Sequence, residues 1–268
     1  MTWLQAIILG IVEGITEFLP VSSTGHMIIT SSLMGIHTDD FTKLFEICVQ
    51  LGAILAVVVL YWRKFFDFSR IRFYIKLCIA VIPALALGYL FSDKIDELLE
   101  SPTTVGVMLL LGGIILMFID RIFSHPAIES EDEISNRRAF TIGFWQVLAM
   151  IPGVSRSAAS IIGGLQQRLS RKVAAEFSFF LAVPTMCAAT GYKLLKAFQE
   201  TPEMLRDTNN LIALAVGNIV AFIVAMIAIR TFIQYVQRHS FRMFGIYRII
   251  AGIVILVLVF TGVITEHA

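Results

Sequence analysis

The sequence predicts an all-α integral membrane protein with six transmembrane helices and two re-entrant helical hairpins arranged as an inverted repeat. Three observations carry that prediction. The chain of 268 residues is 57% apolar and only 15% charged, with a mean hydropathy of +0.81, where a soluble domain holds about a quarter charged residues. Six apolar runs have the length, about 17–25 residues, that crosses a bilayer as a helix. Two further apolar segments, one near the head of each half of the chain, are interrupted by turn-forming residues.

In chain order, residues 3–35 form the first interrupted segment, broken at Pro20-Val21-Ser22-Ser23-Thr24-Gly25. Each of its halves is too short to cross a hydrocarbon core of about 30 Å at about 1.5 Å per residue, which reads as a re-entrant hairpin. Spanning helices follow at roughly 44–62, 75–91 and 104–123. Residues 139–167 repeat the interrupted pattern, broken at Pro152-Gly153-Val154-Ser155-Arg156-Ser157, and spans at roughly 174–195, 211–233 and 244–264 complete the chain. Gln5-Ala6 through Gly10 to Pro20 is echoed by Arg138-Ala139 through Gly143 to Pro152. One hairpin and three spans per half make the second copy enter the membrane inverted, a plan in which broken helices meet near the midplane and form a site. The expectation is one membrane domain over 1–268, with repeat 1 at about 1–123 and repeat 2 at about 139–264.

The N-terminal segment is not read as a cleaved signal, because no Lys or Arg precedes Lys43 and the apolar stretch carries Glu13 and Glu17. Cys48, Cys78 and Cys187 lack metal-ligand spacing and read as free, buried packing residues.

The plan assigns every loop to a side, and cytoplasmic loops are the Lys/Arg-rich ones. One side collects Arg63, Lys64, Arg70, Arg72, Lys76, Arg121, Arg137, Arg138, Arg168, Arg171, Lys172, Arg230, Arg238 and Arg242; the other collects only Lys43, Lys94, Lys193, Lys196 and Arg206. The basic side is therefore cytoplasmic, the first hairpin dips in from outside, and the second enters from the cytoplasm. The acidic run Glu129-Ser130-Glu131-Asp132-Glu133 falls in a cytoplasmic loop and reads as a solvated linker.

Glu13 and Glu17 are one helical turn apart and share a face. Carboxylates at membrane depth are costly unless a cation, a proton or water meets them. Together with phosphate oxygens they could hold Mg²⁺ or Ca²⁺; the plainer reading leaves them facing interfacial water. Ser22-Ser23-Thr24-Gly25-His26 then turns the chain into a new helix, whose free N–H groups make an anion site. Its hydroxyls and imidazole supply a nucleophile and a proton carrier, although Ser/Thr runs also serve simply as helix caps. Arg156 stands between Ser155 and Ser157, with Gly153 allowing a tight backbone, and a guanidinium binds phosphate through paired N–H groups. If the hairpins meet, Arg156 faces Glu13, Glu17, Ser23 and His26 across a shared pocket; the competing reading is a structural ion pair with one glutamate. Glu46, Gln50, Glu176 and Arg248 are further polar groups in apolar spans that packing explains about as well as function.

Glu13-Gly14-Ile15-Thr16-Glu17-Phe18-Leu19-Pro20-Val21-Ser22-Ser23-Thr24-Gly25-His26 and Pro152-Gly153-Val154-Ser155-Arg156-Ser157-Ala158-Ala159-Ser160 resemble the two motifs of the undecaprenyl-diphosphate phosphatase family, also known for conferring bacitracin resistance. The resemblance runs the length of the chain. Where the family usually has Thr, this chain has Ser160, which retains a hydroxyl. The resemblance implies a multi-pass enzyme of the bacterial plasma membrane, the inner membrane in a Gram-negative cell. Its implied reaction converts undecaprenyl diphosphate to the monophosphate and inorganic phosphate, recycling the lipid carrier for peptidoglycan synthesis. It also implies a site facing the periplasm or exterior and a divalent cation, Mg²⁺ or Ca²⁺. On that reading Glu13 and Glu17 position the metal. Ser22, Thr24, Gly25, Gly153, Ser155, Ser157 and Arg156 hold phosphate. Ser23 attacks with His26 or Glu17 handling the proton, with His26 itself or a water as the other nucleophiles.

A transporter or flippase for polyprenyl phosphates is the alternative from another class, since inverted repeats with broken helices are also transporter architecture. A phosphatidate-type lipid phosphatase needs a second His after its Ser-Arg, and the next here is His239. Gly10-x-x-x-Gly14 and Gly113 allow close helix approach, within the chain or in a homodimer. Basic residues scattered over membrane-flanking loops give no nucleic-acid surface.

Overall fold

A computed structural model describes residues 1–91 and 101–264; Lys94, counted above on the outer side, lies outside the described residues. Among those residues regular structure is helical, apart from one isolated bridge between Ile128 and Leu169. Six stretches are long and apolar enough to cross a membrane: Asp40–Leu60, Ile71–Leu90, Pro102–Ile122, Arg171–Glu200, Thr208–Arg238 and Arg242–Phe260. Each overlaps one of the six expected spans.

The first interrupted segment is a pair of short helices, α1 (Trp3–Thr16) and α2 (Ser23–Leu33), packed on each other. A capping box starts α1: the Thr2 amide donates to Gln5 Oε1 at 2.8 Å and the Gln5 amide donates back to Thr2 Oγ1 at 3.3 Å. The first span is two helices, α3 (Asp40–Cys48) and α4 (Gln50–Leu60). The short α5 (Trp62–Phe65) and two full spans, α6 (Ile71–Leu90) and α7 (Pro102–Ile122), follow. The second interrupted segment comprises α8 (Asn136–Val147), a 3-10 turn at Leu148–Met150 and α9 (Arg156–Gln166). The remaining elements are α10 (Arg171–Glu200), the short α11 (Pro202–Arg206), α12 (Thr208–Arg238) and α13 (Arg242–Phe260).

Helix α1 lies along α12, α8 along α6, α7 along α13, and α4 against α10 and α12. Small residues make the first two approaches close. A Cβ added at Gly10 would fall 2.7 Å from the Gly217 carbonyl oxygen, and one at Gly143 would fall 1.9 Å from that of Ala80. Gly14 meets Ala221 and Val224, and Gly113 meets Gly245 and Ile249, so these glycines serve packing inside the chain. The central core joins Phe18, Phe73, Phe177, Phe179, Phe180, Phe232 and Phe241.

Three expectations are corrected. The acidic run is built into the fold: Ile128 and Ile134 beside it are buried, and Glu131–Glu133 form a 3-10 turn. Lys64 pairs with Glu131 at 2.5 Å, Arg70 with Asp132 at 2.8 Å, and Lys76 Nζ donates to the Glu131 and Asp132 carbonyls at 2.9 and 2.8 Å. The three cysteines are free, but only Cys48 is buried; Cys78 and Cys187 lie on the outer surface of apolar spans. Finally, the two breaks match through Ser22 and Ser155, which cap α2 and α9, and not through Pro20 and Pro152.

Candidate active site

The two breaks share a local construction. Ser22 and Ser155 have φ of +70° and +75°, on the side of the backbone map that side chains disfavour. Each then caps the following helix, Ser22 Oγ accepting from the Gly25 amide at 3.4 Å and Ser155 Oγ from Ala158 at 3.2 Å. Such backbone costs on the order of 1–3 kcal/mol per residue and persists only where its surroundings over-determine it. These caps leave the amides of Ser23 and Thr24, and of Arg156 and Ser157, at the positive ends of two short helices.

The breaks meet on Glu17. Ser23 Oγ donates to Glu17 Oε2 at 2.6 Å, and Arg156 Nη2 donates to Glu17 Oε1 at 2.8 Å. The Glu17 side chain is 4% exposed and that of Arg156 13%, so the row is largely shielded from water. Arg156 Nη1 donates to the Ser178 carbonyl at 2.9 Å and to its Oγ at 3.2 Å, while the guanidinium lies over the Phe18 ring. Its Nε–H is buried with no acceptor. Ser160 Oγ donates to Ser178 Oγ at 2.7 Å, so the Ser160 hydroxyl supports the arginine through Ser178.

This row borders a cavity of about 1150 Å³. Glu17, Ser22, Ser23, Thr24, Gly153, Ser155 and Arg156 line it with Glu46, Gln50, Gln146 and Thr185. Ile47, Ala84, Leu85, Met186 and Ala189 give it apolar walls, and the lining continues to Lys43, Tyr89, Tyr192, Lys193 and Val263 at the helix ends.

Three expected site residues are placed elsewhere, and Glu13 lies behind the row. Ser157 is fully buried and its Oγ donates to the Phe18 carbonyl at 2.8 Å, tying one hairpin to the other. Gly25 lets Val105 approach α2, where a Cβ would fall 2.8 Å from its Cγ1. His26 is outside the cavity lining; its Nδ1 is 2.7 Å from the Ser22 carbonyl, its Nε2 is 2.6 Å from Tyr247 Oη, and the two rings are stacked. Glu13 sits one turn behind Glu17, fully buried, with both carboxyl oxygens unpartnered. That orphaned carboxylate would suit a cation. Among the described residues no three His, Cys, Asp or Glu side chains gather around a metal-sized site, so phosphate oxygens and water would have to complete a coordination shell.

Sequence reading missed Ser178, one hydroxyl between aromatic neighbours in α10, because such residues usually bond their own helix. Arg248 was visible as an intramembrane charge, but nothing local shows that it reaches both breaks. Its four Nη N–H groups go to the Pro20, Met108, Gly153 and Val154 carbonyls.

A hydroxyl and a guanidinium that meet on one carboxylate, beside a cavity among helices long and apolar enough to cross a membrane, mark a polytopic membrane protein with a polar candidate site among its spans. The family described as "Bacitracin resistance protein BacA" matches residues 6–254, and the chain belongs to that family. Among its relatives are the undecaprenyl-diphosphatases of Flavobacterium psychrophilum, 58% identical over 97% of both chains, and of Bdellovibrio bacteriovorus, 50% identical over 98% of both. That of Campylobacter jejuni is 46% identical over 97% of this chain and 96% of its own. The chain is a multi-pass bacterial membrane protein.

Proposed function

We propose that this protein hydrolyses undecaprenyl diphosphate to undecaprenyl phosphate and inorganic phosphate at the Ser23–Glu17–Arg156 row, recycling the carrier for peptidoglycan synthesis and thereby conferring bacitracin resistance. Convergence of those three side chains from the two breaks is the observation that carries this reading. The relatives' shared name supports the substrate, and the apolar cavity walls suit a lipid whose head is a diphosphate.

Ser23 Oγ attacks the terminal phosphorus while its proton passes to Glu17. The bond from that phosphorus to the bridging oxygen breaks, and the carboxyl hands the proton to the departing lipid monophosphate. Water then attacks the phosphoserine; its proton goes to Glu17, and the Ser23 alkoxide recovers a proton from that carboxyl. The cavity-facing part of the Arg156 guanidinium and the helix-start amides of Ser23 and Thr24 hold the terminal phosphoryl oxygens, so charge is stabilised where it develops. Glu13 and Glu17 are the residues that would hold Mg²⁺ or Ca²⁺, which when bound neutralises diphosphate charge. His26 acts at one remove: donating Nδ1–H to the Ser22 carbonyl and accepting from Tyr247, it fixes the turn that carries Ser23.

The same reading makes the chain one membrane domain built as an inverted repeat of re-entrant hairpins and three spans. The packing supports this, since α1 lies on the second span of the other half and α8 does the same in return. Lys43, Tyr89, Lys193 and Val263 stand at span ends on the side poor in Lys and Arg, which supports a cavity opening to the periplasm or exterior.

Purified protein in detergent, given undecaprenyl diphosphate and Mg²⁺ or Ca²⁺, is expected to release phosphate and to stop on adding chelator. No release from folded protein would overturn the phosphatase reading; release that survives chelation would remove the metal from it.

A further inference from the structure

Arg248, in α13, is fully buried. Nη1 donates to the Pro20 carbonyl at 3.1 Å and to Val154 at 3.0 Å; Nη2 donates to Gly153 at 2.7 Å and to Met108 at 3.1 Å. Three of these four acceptors lie in the two breaks. The positive φ of Ser22 and Ser155 interrupts the helical ladder just beyond those carbonyls, and a buried carbonyl needs a donor. One planar fork, of fixed spacing, therefore reaches the residue two before Ser22 and the two residues before Ser155. No other side chain among the described residues bonds the main chain of both breaks.

We infer that Arg248 is the positioning residue of this site: its guanidinium sets the separation of the two breaks, so that Ser23 from one and Arg156 from the other reach the same carboxylate. Its hydrogen bonds go to main-chain carbonyls and not to the side chains of Glu17, Ser23 or Arg156, so it acts through the backbone that carries them. A lysine keeps the charge but radiates three donors from a single nitrogen, and lacks the fork that spans two chain segments. Gly112 offers a way to disturb the fork without removing it, since a Cβ there would fall 2.3 Å from Arg248 Nη2.

The kinetic half of the test rests on the phosphatase reading; the distance half does not. Arg248→Lys and Gly112→Ala are compared with wild type, each first shown to be monodisperse and within a few degrees of the wild-type Tm. A misplacement of about 1 Å costs on the order of 100-fold, so kcat should fall by about that factor in Arg248→Lys while KM stays within about threefold. Gly112→Ala should move in the same direction. Independently of activity, spin labels at Leu33→Cys and Gln166→Cys, at the far ends of α2 and α9, should show a broadened distance distribution in Arg248→Lys.

Wild-type kcat and an unchanged distance distribution in Arg248→Lys would overturn the proposal. Should that variant fail to fold, wild-type kinetics and distances in Gly112→Ala would do the same. A wild-type protein that releases no phosphate but whose label distances broaden in the variants would defeat the phosphatase reading and leave the positioning role standing.

Discussion

Glu17 carries two obligations: it accepts from Ser23 at 2.6 Å and from Arg156 at 2.8 Å. An amide at that position cannot take up a proton and leaves a largely buried guanidinium without its counter-charge, and breaking a buried pair from one side costs about 3–5 kcal/mol. Glu17→Gln is therefore expected to lose activity at least about a thousandfold and to melt several degrees lower in detergent; an active variant of unchanged Tm would contradict both roles. His26 gives a sharper contrast. Asn can place an N–H near where Nδ1 reaches the Ser22 carbonyl, so His26→Asn should retain far more activity than His26→Ala. Equal losses would return His26 to a role as proton carrier or nucleophile. Glu17, Ser23 and Arg156 were legible in the sequence because carboxylate, hydroxyl and guanidinium at membrane depth ask for partners. The directions of His26 and Ser157 were not, since Tyr247 and the Phe18 carbonyl, both distant in sequence, decide them.

The short helices and spans were readable as elements because apolar run length and turn chemistry act locally, and all six spans overlap their expected positions. What escaped was set between elements. The break between α3 and α4 has no Pro or Gly at Val49; there the Gly52 amide donates to Asn218 Oδ1 at 2.7 Å, a partner on another span. The acidic run looked like linker because its charges were counted without the cations of α5 and α6 that receive them. Its energetics are testable. Burial raises the Glu131 carboxyl, but Lys64 and Arg70 outweigh burial and hold it below the usual carboxylate range. A lowered folded value contributes stability present above the unfolded value of about 4.3 and lost as pH falls through the folded one. The Tm gap between wild type and Glu131→Gln should therefore be widest near neutral pH and narrow below about pH 4; a gap constant to pH 3 would show that the charge contributes nothing.

At the scale of the whole molecule, the charge asymmetry and the interrupted segments are the grounds for the proposed two-sided plan, and the packing of α1 on α12 and of α8 on α6 accords with it. The cavity was not legible, because its apolar wall is shared among α3, α6 and α10 and no single span shows a stripe for it. If it opens outward, Lys43→Cys in a background without native cysteines should react with a membrane-impermeant thiol reagent from outside and be protected by undecaprenyl diphosphate. Arg137→Cys should react only from the cytoplasmic side. Reversed labelling would invert the topology and with it the supply of substrate. On the proposed mechanism Ser23, placed by one break against Glu17 and against Arg156 of the other break, performs the phosphoryl transfer. The most direct test of that role is the rate of phosphate release from undecaprenyl diphosphate by purified Ser23→Ala beside wild type, at matched folding. Loss of a single buried hydrogen bond costs about 1 kcal/mol of stability, so the variant should fold normally and release phosphate at least about a thousandfold more slowly. A folded Ser23→Ala that works within about tenfold of wild type would show that the nucleophile is another group.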